Sequence, residues 1–469
     1  MSFIELIKEN QNEIMKDSIG LDYDAFEYEG IGFDYERMMN SHSYSIEEII
    51  EIQRNAKVGN TPLIELKNIN KLIKKLAKKG YGAKIFVKDE ACNPSGSFKD
   101  RRSSVSVYEA MKKGYQGVIC ATSGNYGAAV ASQAAMYGLK AIILQEAFDS
   151  RKVGQPEILE KARACLTYGA EVSQLTVGPE LFYELLKTLK ETGFFNASLY
   201  SPLSIAGVET LGFEIAEQSM EMFNRHPDAV VITHAGGGNV TGTARGLIKA
   251  GATNTEVIGA SVDLTGLHMA SDKDFNKKSF TTGHTGFGMP FSVDPDRVDV
   301  PRNAARPLRY LDRYVLVSQG EVFYTTEMLA QLEGLERGPA GNTSLAAAVS
   351  LAKEMEEDQI IVVQETEYTG AGKHPTAQLT FARQNGIEIR RGNPEDNIPG
   401  KNIIIPEHPS LLQAKDVDLD KLRNSFLRRL LKTVDVTNLN ETERDFIATE
   451  INQDWKYVEH LISSIELEQ

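Results

Sequence analysis

The sequence predicts an α/β fold with mainly parallel sheets. Two observations carry that expectation. Short β-branched apolar runs alternate with helical patterns from about residue 83 to 366. Two of these runs end in glycine-bearing turns that open helices, TSGNYG at 122–127 and AGGGNVTG at 235–242. The 469 residues are enough for two or three cores, and 41% hydrophobic with 25% charged residues is ordinary for a globular chain.

Taken in order, residues 1–56 are polar with interspersed aromatics, and helices are expected at 3–15 and 46–55. The middle, YDAFEYEGIGFDYERMM, is too aromatic for a disordered tail, so it packs either on the body of the chain or on a partner. A helix over 70–79 carries Lys71, Lys74, Lys75, Lys78 and Lys79 on a basic face, which is either solvated or a contact for an anionic ligand or acidic partner. Strands are expected at 83–90, 117–123, 140–146, 170–176, 229–236, 256–262, 314–319 and 360–366. Helices follow at 125–137, 156–168 and 205–223. From 262 to 309 the alternation lapses into a long connection rich in Gly, Asp and Pro. Beyond about Pro406 the chain is charged and helical, at 422–434 and 441–466. Phe426, Leu427, Leu430 and Leu431 form an apolar stripe there, open to the chain's own body or to another chain.

The stretch NPSGSFKDRR at 93–102 lies between a strand and a helix bearing Phe98, Val105, Tyr108 and Met111. Lys99 therefore falls in a first helical turn, where the positive end of the helix and burial both make an amine harder to protonate. Such a lysine suits bond formation with carbonyl compounds. The run AGGGNVTG lets backbone N–H groups approach an anion at a helix start, but its spacing and mid-chain position do not match a dinucleotide fingerprint. TSGNYG offers hydroxyls, an amide and helix-start N–H groups suited to a carboxylate, or else a plain helix cap by Ser123. Cys92 is either an acyl carrier near Lys99 or a small gap-filling residue.

A formal charge of −14, from 51 basic and 65 acidic residues, argues against nucleic acid and anionic membrane surfaces as partners. Three unpaired cysteines and eight scattered histidines give no disulfide framework and no metal-ligand spacing. The start of the chain is acidic and amphipathic rather than a signal peptide, and no apolar run has membrane-spanning length. A soluble, cytoplasmic protein without a metal is expected.

The lysine turn, TSGNYG, AGGGNVTG and YTGAGK at 368–373, in that order, resemble the pyridoxal-phosphate (PLP) enzymes of the tryptophan synthase beta-subunit fold type. The resemblance spans about 59–377. It implies a two-domain fold of type II over 57–405, with a smaller α/β domain at about 91–210 and the cofactor in the cleft. The N-terminal extension 1–56 and helical C-terminal extension 406–469 fall outside it. It also implies roles. Lys99 would hold PLP covalently and act as the catalytic base. Gly236, Gly237, Gly238 and Asn239 would hold the phosphate, and Asn125 the 3-hydroxyl. Thr369 would face the pyridine nitrogen. Thr122, Ser123 and Gly124 would grip the substrate carboxylate.

Threonine synthases of this group usually carry a Thr-Ser pair where this chain has Tyr126 and Gly127. The whole chain, extensions included, resembles instead the beta subunits of thiolases that split 2-amino-4-oxopentanoate with coenzyme A into acetyl-CoA and alanine, in ornithine degradation. The expected partners are then a small alpha subunit and a second beta subunit. A threonine synthase or other β-replacement lyase is the alternative, and a catalytically silent subunit a third reading that Lys99 opposes.

Overall fold

The computed structural model describes the chain apart from residues 1, 29, 179, 265–277, 283–295, 297–299, 369–372, 431, 433, 435–437 and 468–469. Most of the long connection at 262–309, as well as Thr369 and Leu431, thus lies outside the described residues.

The strands, in order, are β1 (Leu63–Glu65), β2 (Lys84–Asp89), β3 (Gly117–Thr122), β4 (Lys140–Phe148), β5 (Glu171–Thr176), β6 (Phe195–Asn196), β7 (Ala229–Thr233), β8 (Glu256–Val262), β9 (Arg313–Val317), β10 (Ile360–Glu365), β11 (Glu388–Gly392), β12 (Asn402–Pro406) and β13 (Lys415–Asp416). Two sheets carry the fold. One runs β1-β2-β10-β7-β8-β9-β13, parallel through its middle, with antiparallel β1 and β13 at its edges. The other runs β5-β4-β3-β6 and is wholly parallel. The residue types explain the layering. β3, β7 and β10 are buried at every position, as continuous apolar runs should be when helices cover both faces. β5, at a sheet edge, keeps no buried residue. A separate parallel pair, β11–β12, was not legible in the sequence.

The predicted helices at 125–137 and 46–55 appear with those bounds, as Asn125–Tyr137 and Ile46–Asn55. The expected helix at 3–15 is two helices, Phe3–Glu9 and Gln11–Ile19, and 441–466 is likewise Glu441–Glu450 and Trp455–Leu467. Asn10 both ends the first helix and starts the second, and Asn452 turns the tail with φ 51°. The basic helix is Lys67–Leu76, shorter at its end than expected: Lys71, Lys74 and Lys75 lie on it and Lys78 and Lys79 beyond it, all five exposed and Lys74 paired with Glu357.

Helix Pro202–Phe223 is the axis of the molecule's centre. Ser201 caps it and Pro202 opens it. It lies against both helices that start at the candidate site, Lys99–Lys112 and Gly238–Lys249. Both ends of the chain join the same core cluster as β3 and β4, through Ile7, Met15, Tyr23, Phe33, Met38, Phe426, Phe446 and Ile447 among others.

Candidate functional site

A cavity opens where the C-terminal ends of the parallel strands of the two sheets face each other, the usual place for a ligand in an open α/β sheet. Its lining includes Lys99, Arg102, Thr122, Ser123, Asn125, Glu146, Tyr200, Gly236, Gly237, Gly238 and Asn239. β2 delivers the lysine turn, β7 the glycine turn, and β3 the Thr122–Gly127 loop. The order of motifs along the chain thus becomes a single wall in space.

Lys99 is the first residue of its helix. Two features fix the turn before it. Asp100 accepts from the Ser95 N–H at 2.7 Å and the Ser95 hydroxyl at 2.8 Å. The end of β10 then ties down the same turn: Phe98 N–H donates to Thr366 O at 3.0 Å and Tyr368 N–H to Gly96 O at 2.8 Å. Burial holds the Lys99 amine well below the usual lysine range, and the Arg102 cation pushes the same way, against an opposing pull from Glu367. The shift is in the direction that favours a nucleophilic amine.

The glycine turn is crowded. Gly237 has φ 87°, and a Cβ there would lie 2.5 Å from Pro307 Cγ. A Cβ on Gly236 would lie 2.9 Å from the Tyr200 hydroxyl, and one on Gly238 would lie 2.0 Å from Arg102 Nη2. Asn239, just inside the helix, is 7% exposed, yet neither its Oδ1 nor its Nδ2 has a partner among the described residues. Asn125 donates to Glu367 Oε2 at 2.6 Å, while its Oδ1 is orphaned. Orphaned buried polar atoms around a glycine cradle at a helix start fit an anionic ligand that supplies the missing bonds. PLP, with a phosphate and ring heteroatoms, satisfies both ends of this set.

Thr122 does more than the sequence suggested. Its hydroxyl accepts from Gly124 N–H at 2.9 Å and Gly127 N–H at 3.1 Å, so it builds the loop. The alternative of a Ser123 cap is not realised, because Gly124 is the N-cap and makes no side-chain cap bond. Ser123 faces the cavity. Cys92 is not among the cavity residues, and its thiol sits 3.3 Å from Asp89 Oδ2. Among the described residues no cluster suits a metal ion, and no helix is long and apolar enough to cross a membrane.

Among the cavity residues that the sequence does not single out are Arg102, Tyr200 and Glu146. Glu146 lies inside the buried run of β4, between Gln145, which pairs with Thr122, and buried Ala147. It is 6% exposed, and burial pushes its carboxyl up to about 8 against a bond from the Gly178 backbone. A carboxyl following the apolar run Ala141–Leu144 within a strand was the available signal. Tyr200 and Arg102 carried none, since their importance rests on neighbours distant in sequence.

Comparison with known proteins agrees with this geometry. The pyridoxal-phosphate dependent enzyme family model matches residues 55–367. The chain is 62% identical over 461 residues to a 2-amino-4-ketopentanoate thiolase beta subunit from an unknown prokaryotic organism, covering 98% of both chains. It is 61% identical over 460 residues to the protein of that name from Acetoanaerobium sticklandii, again covering 98% of both. A Bacillus threonine synthase is 27% identical and covers 62% of this chain and 76% of its own. Among solved structures, maize serine racemase matches with a TM-score of 0.53 at 22% identity, covering 72% of this chain and 97% of its own, a likeness of fold alone. Two thirds of the chain thus match one family model, with the lysine turn and the glycine turn both inside the match, and the chain belongs to the pyridoxal-phosphate dependent enzymes.

Proposed function

We propose that the protein is the catalytic beta subunit of a 2-amino-4-oxopentanoate thiolase, converting that substrate and coenzyme A to acetyl-CoA and alanine. One observation carries the reading. The 61–62% identity runs over 98% of the chain, through both terminal segments that the family model leaves outside its 55–367 match. Threonine synthases at 27–32% identity cover 39–68% of it. The site adds a local argument. Gly127 has no room for the side chain that threonine synthases usually place there, because a Cβ would lie 2.7 Å from Ile143 and 2.8 Å from Thr122.

Bound PLP supplies an electron sink beside the substrate's amino group. The chain's own groups do the rest. Lys99 Nζ, whose burial lowers its proton affinity, holds the cofactor and takes the proton from the substrate's Cα. Ser123 and Gly124 hold the substrate carboxylate, on a loop that the Thr122 hydroxyl keeps in shape. Gly236 to Asn239 hold the phosphate, and Asn125 the ring oxygen. Thr369, directly after Tyr368, is assigned to the pyridine nitrogen. The thiolate of coenzyme A adds to C4, the C3–C4 bond breaks, C3 takes the proton the thiol gave up, and Lys99 returns its proton to Cα, which gives acetyl-CoA and alanine in balance.

The test is turnover of 2-amino-4-oxopentanoate by the purified chain, with and without a small alpha subunit. Acetyl-CoA and alanine should form in equal amounts, only with coenzyme A present and with both subunits. Formation of threonine from a phosphorylated homoserine without coenzyme A would contradict the reading.

A further inference from the structure

Two adjacent arginines follow Lys99 and meet opposite fates. Arg101 is fully compensated. Its guanidinium bonds Glu90 at 2.7 and 2.8 Å, Glu214 at 2.8 and 3.0 Å, and the Thr210 hydroxyl at 3.0 Å. Arg102 is just as buried, at 1% exposure, but faces the cavity and has no carboxylate partner among the described residues. Among the described residues its one hydrogen bond is a long one, from Nη1 to Leu199 O at 3.4 Å, and its Nε has none. Phe98 lies under the guanidinium at 5.6 Å. Burial of this uncompensated cation pushes it down to about 10, with only the Tyr126 and Tyr200 hydroxyls opposing.

A buried cation with open donors needs an anion. The place for that anion is set by Gly238. The Arg102 fork lies so close to this glycine that a Cβ would meet Nη2 at 2.0 Å, and the cavity's glycine turn and helix start lie beside it. Backbone N–H groups at such a turn carry only partial charge and cannot neutralise a dianion. We propose that Arg102 is the counter-ion of the cofactor phosphate, the full positive charge that the glycine turn lacks, with the Tyr200 hydroxyl on the opposite side of the cup.

This rests on reading the cavity as a PLP site, and the test separates the two claims. The apo form of the full chain is titrated with PLP and with pyridoxal, which lacks the phosphate, and binding is followed by cofactor absorbance. Arg102→Met keeps an apolar stem over Phe98 and removes the charge, while Arg102→Lys keeps the charge and removes the fork. Because charge-assisted bidentate bonds to phosphate are among the strongest in proteins, PLP affinity should fall about a hundredfold in Arg102→Met and less in Arg102→Lys. Pyridoxal affinity should stay the same in all three proteins. Inorganic phosphate should compete with PLP in the wild type and not in Arg102→Met. Equal losses for PLP and pyridoxal, in the methionine variant or in the lysine variant should the former not fold, would make Arg102 a packing residue. Undiminished PLP binding in Arg102→Met would overturn the assignment alone, whereas a wild type that takes up no PLP would overturn the cofactor reading beneath it.

Discussion

Glu146 shows how one buried group sets a chemical state and a stability cost at once. Its carboxyl loses hydration without gaining a cation among the described residues, so it keeps its proton up to about pH 8. In the unfolded chain the same group ionises near its ordinary value of 4.5. Stability tied to the protonated carboxyl is therefore present in full below pH 4.5 and is lost as the pH rises through 8. The Glu146→Gln variant of the apo chain lacks that loss. Its stability relative to wild type should rise between pH 5.5 and 7.5 by an amount on the order of 2 kcal/mol, read from urea unfolding. Parallel pH profiles would show that Glu146 is charged in the fold. At this scale the sequence made Lys99 legible, because the residue type and its place after a strand both pointed to it. Arg101 and Arg102 looked alike there, and only Glu90, Glu214 and Gly238 distinguish them.

The site-bearing helices owe their positions to glycines on helix Pro202–Phe223. A Cβ on Gly207 would lie 2.0 Å from Arg101 O in the lysine helix. One on Gly212 would lie 2.0 Å from Thr243 O in the helix of the phosphate cup. Backbone meets backbone at both crossings, and neither neighbour is a side chain that can step aside. Gly212→Val should therefore separate the helices and destabilise the chain by about 1–3 kcal/mol or more, measured by denaturant unfolding, with a parallel fall in PLP affinity. Wild-type stability in that variant would mean that the crossing is looser than described. Buried strands were legible as elements, because continuous β-branched runs such as β3, β7 and β10 leave few other choices. Helix crossings were not legible. Glycines spaced within a helix give no sign of which partner they admit, and helix Pro339–Ala352, rich in alanine, was missed because it lacks an amphipathic pattern.

Across the whole molecule the two ends of the chain meet over the site. Phe33 packs against Phe446 with ring centres 5.4 Å apart, and the Tyr35 hydroxyl donates to Ala304 O at 2.8 Å. Glu450 bonds Arg306 at 2.6 Å and Arg309 at 2.5 Å. Burial pushes the Glu450 carboxyl up, but those two arginines outweigh it and keep the group below its ordinary value. Between them stands Pro307, the residue that crowds Gly237 in the glycine turn. Phe26, Phe33, Tyr35, Phe426, Leu427 and Phe446 are buried on the chain's own body, whereas Tyr28 stays 47% exposed. Nothing in the local sequence announced that residues 33 and 446 touch, since only the folded body brings them together.

The central claim is that the cavity wall holds PLP through Lys99. Borohydride reduction of the purified chain, followed by proteolysis and mass spectrometry, tests it most directly. The account predicts visible absorbance before reduction, its loss on reduction, and a single labelled peptide bearing the cofactor on Lys99. A label on any other lysine, or a chain purified with PLP that borohydride fails to fix, would contradict it.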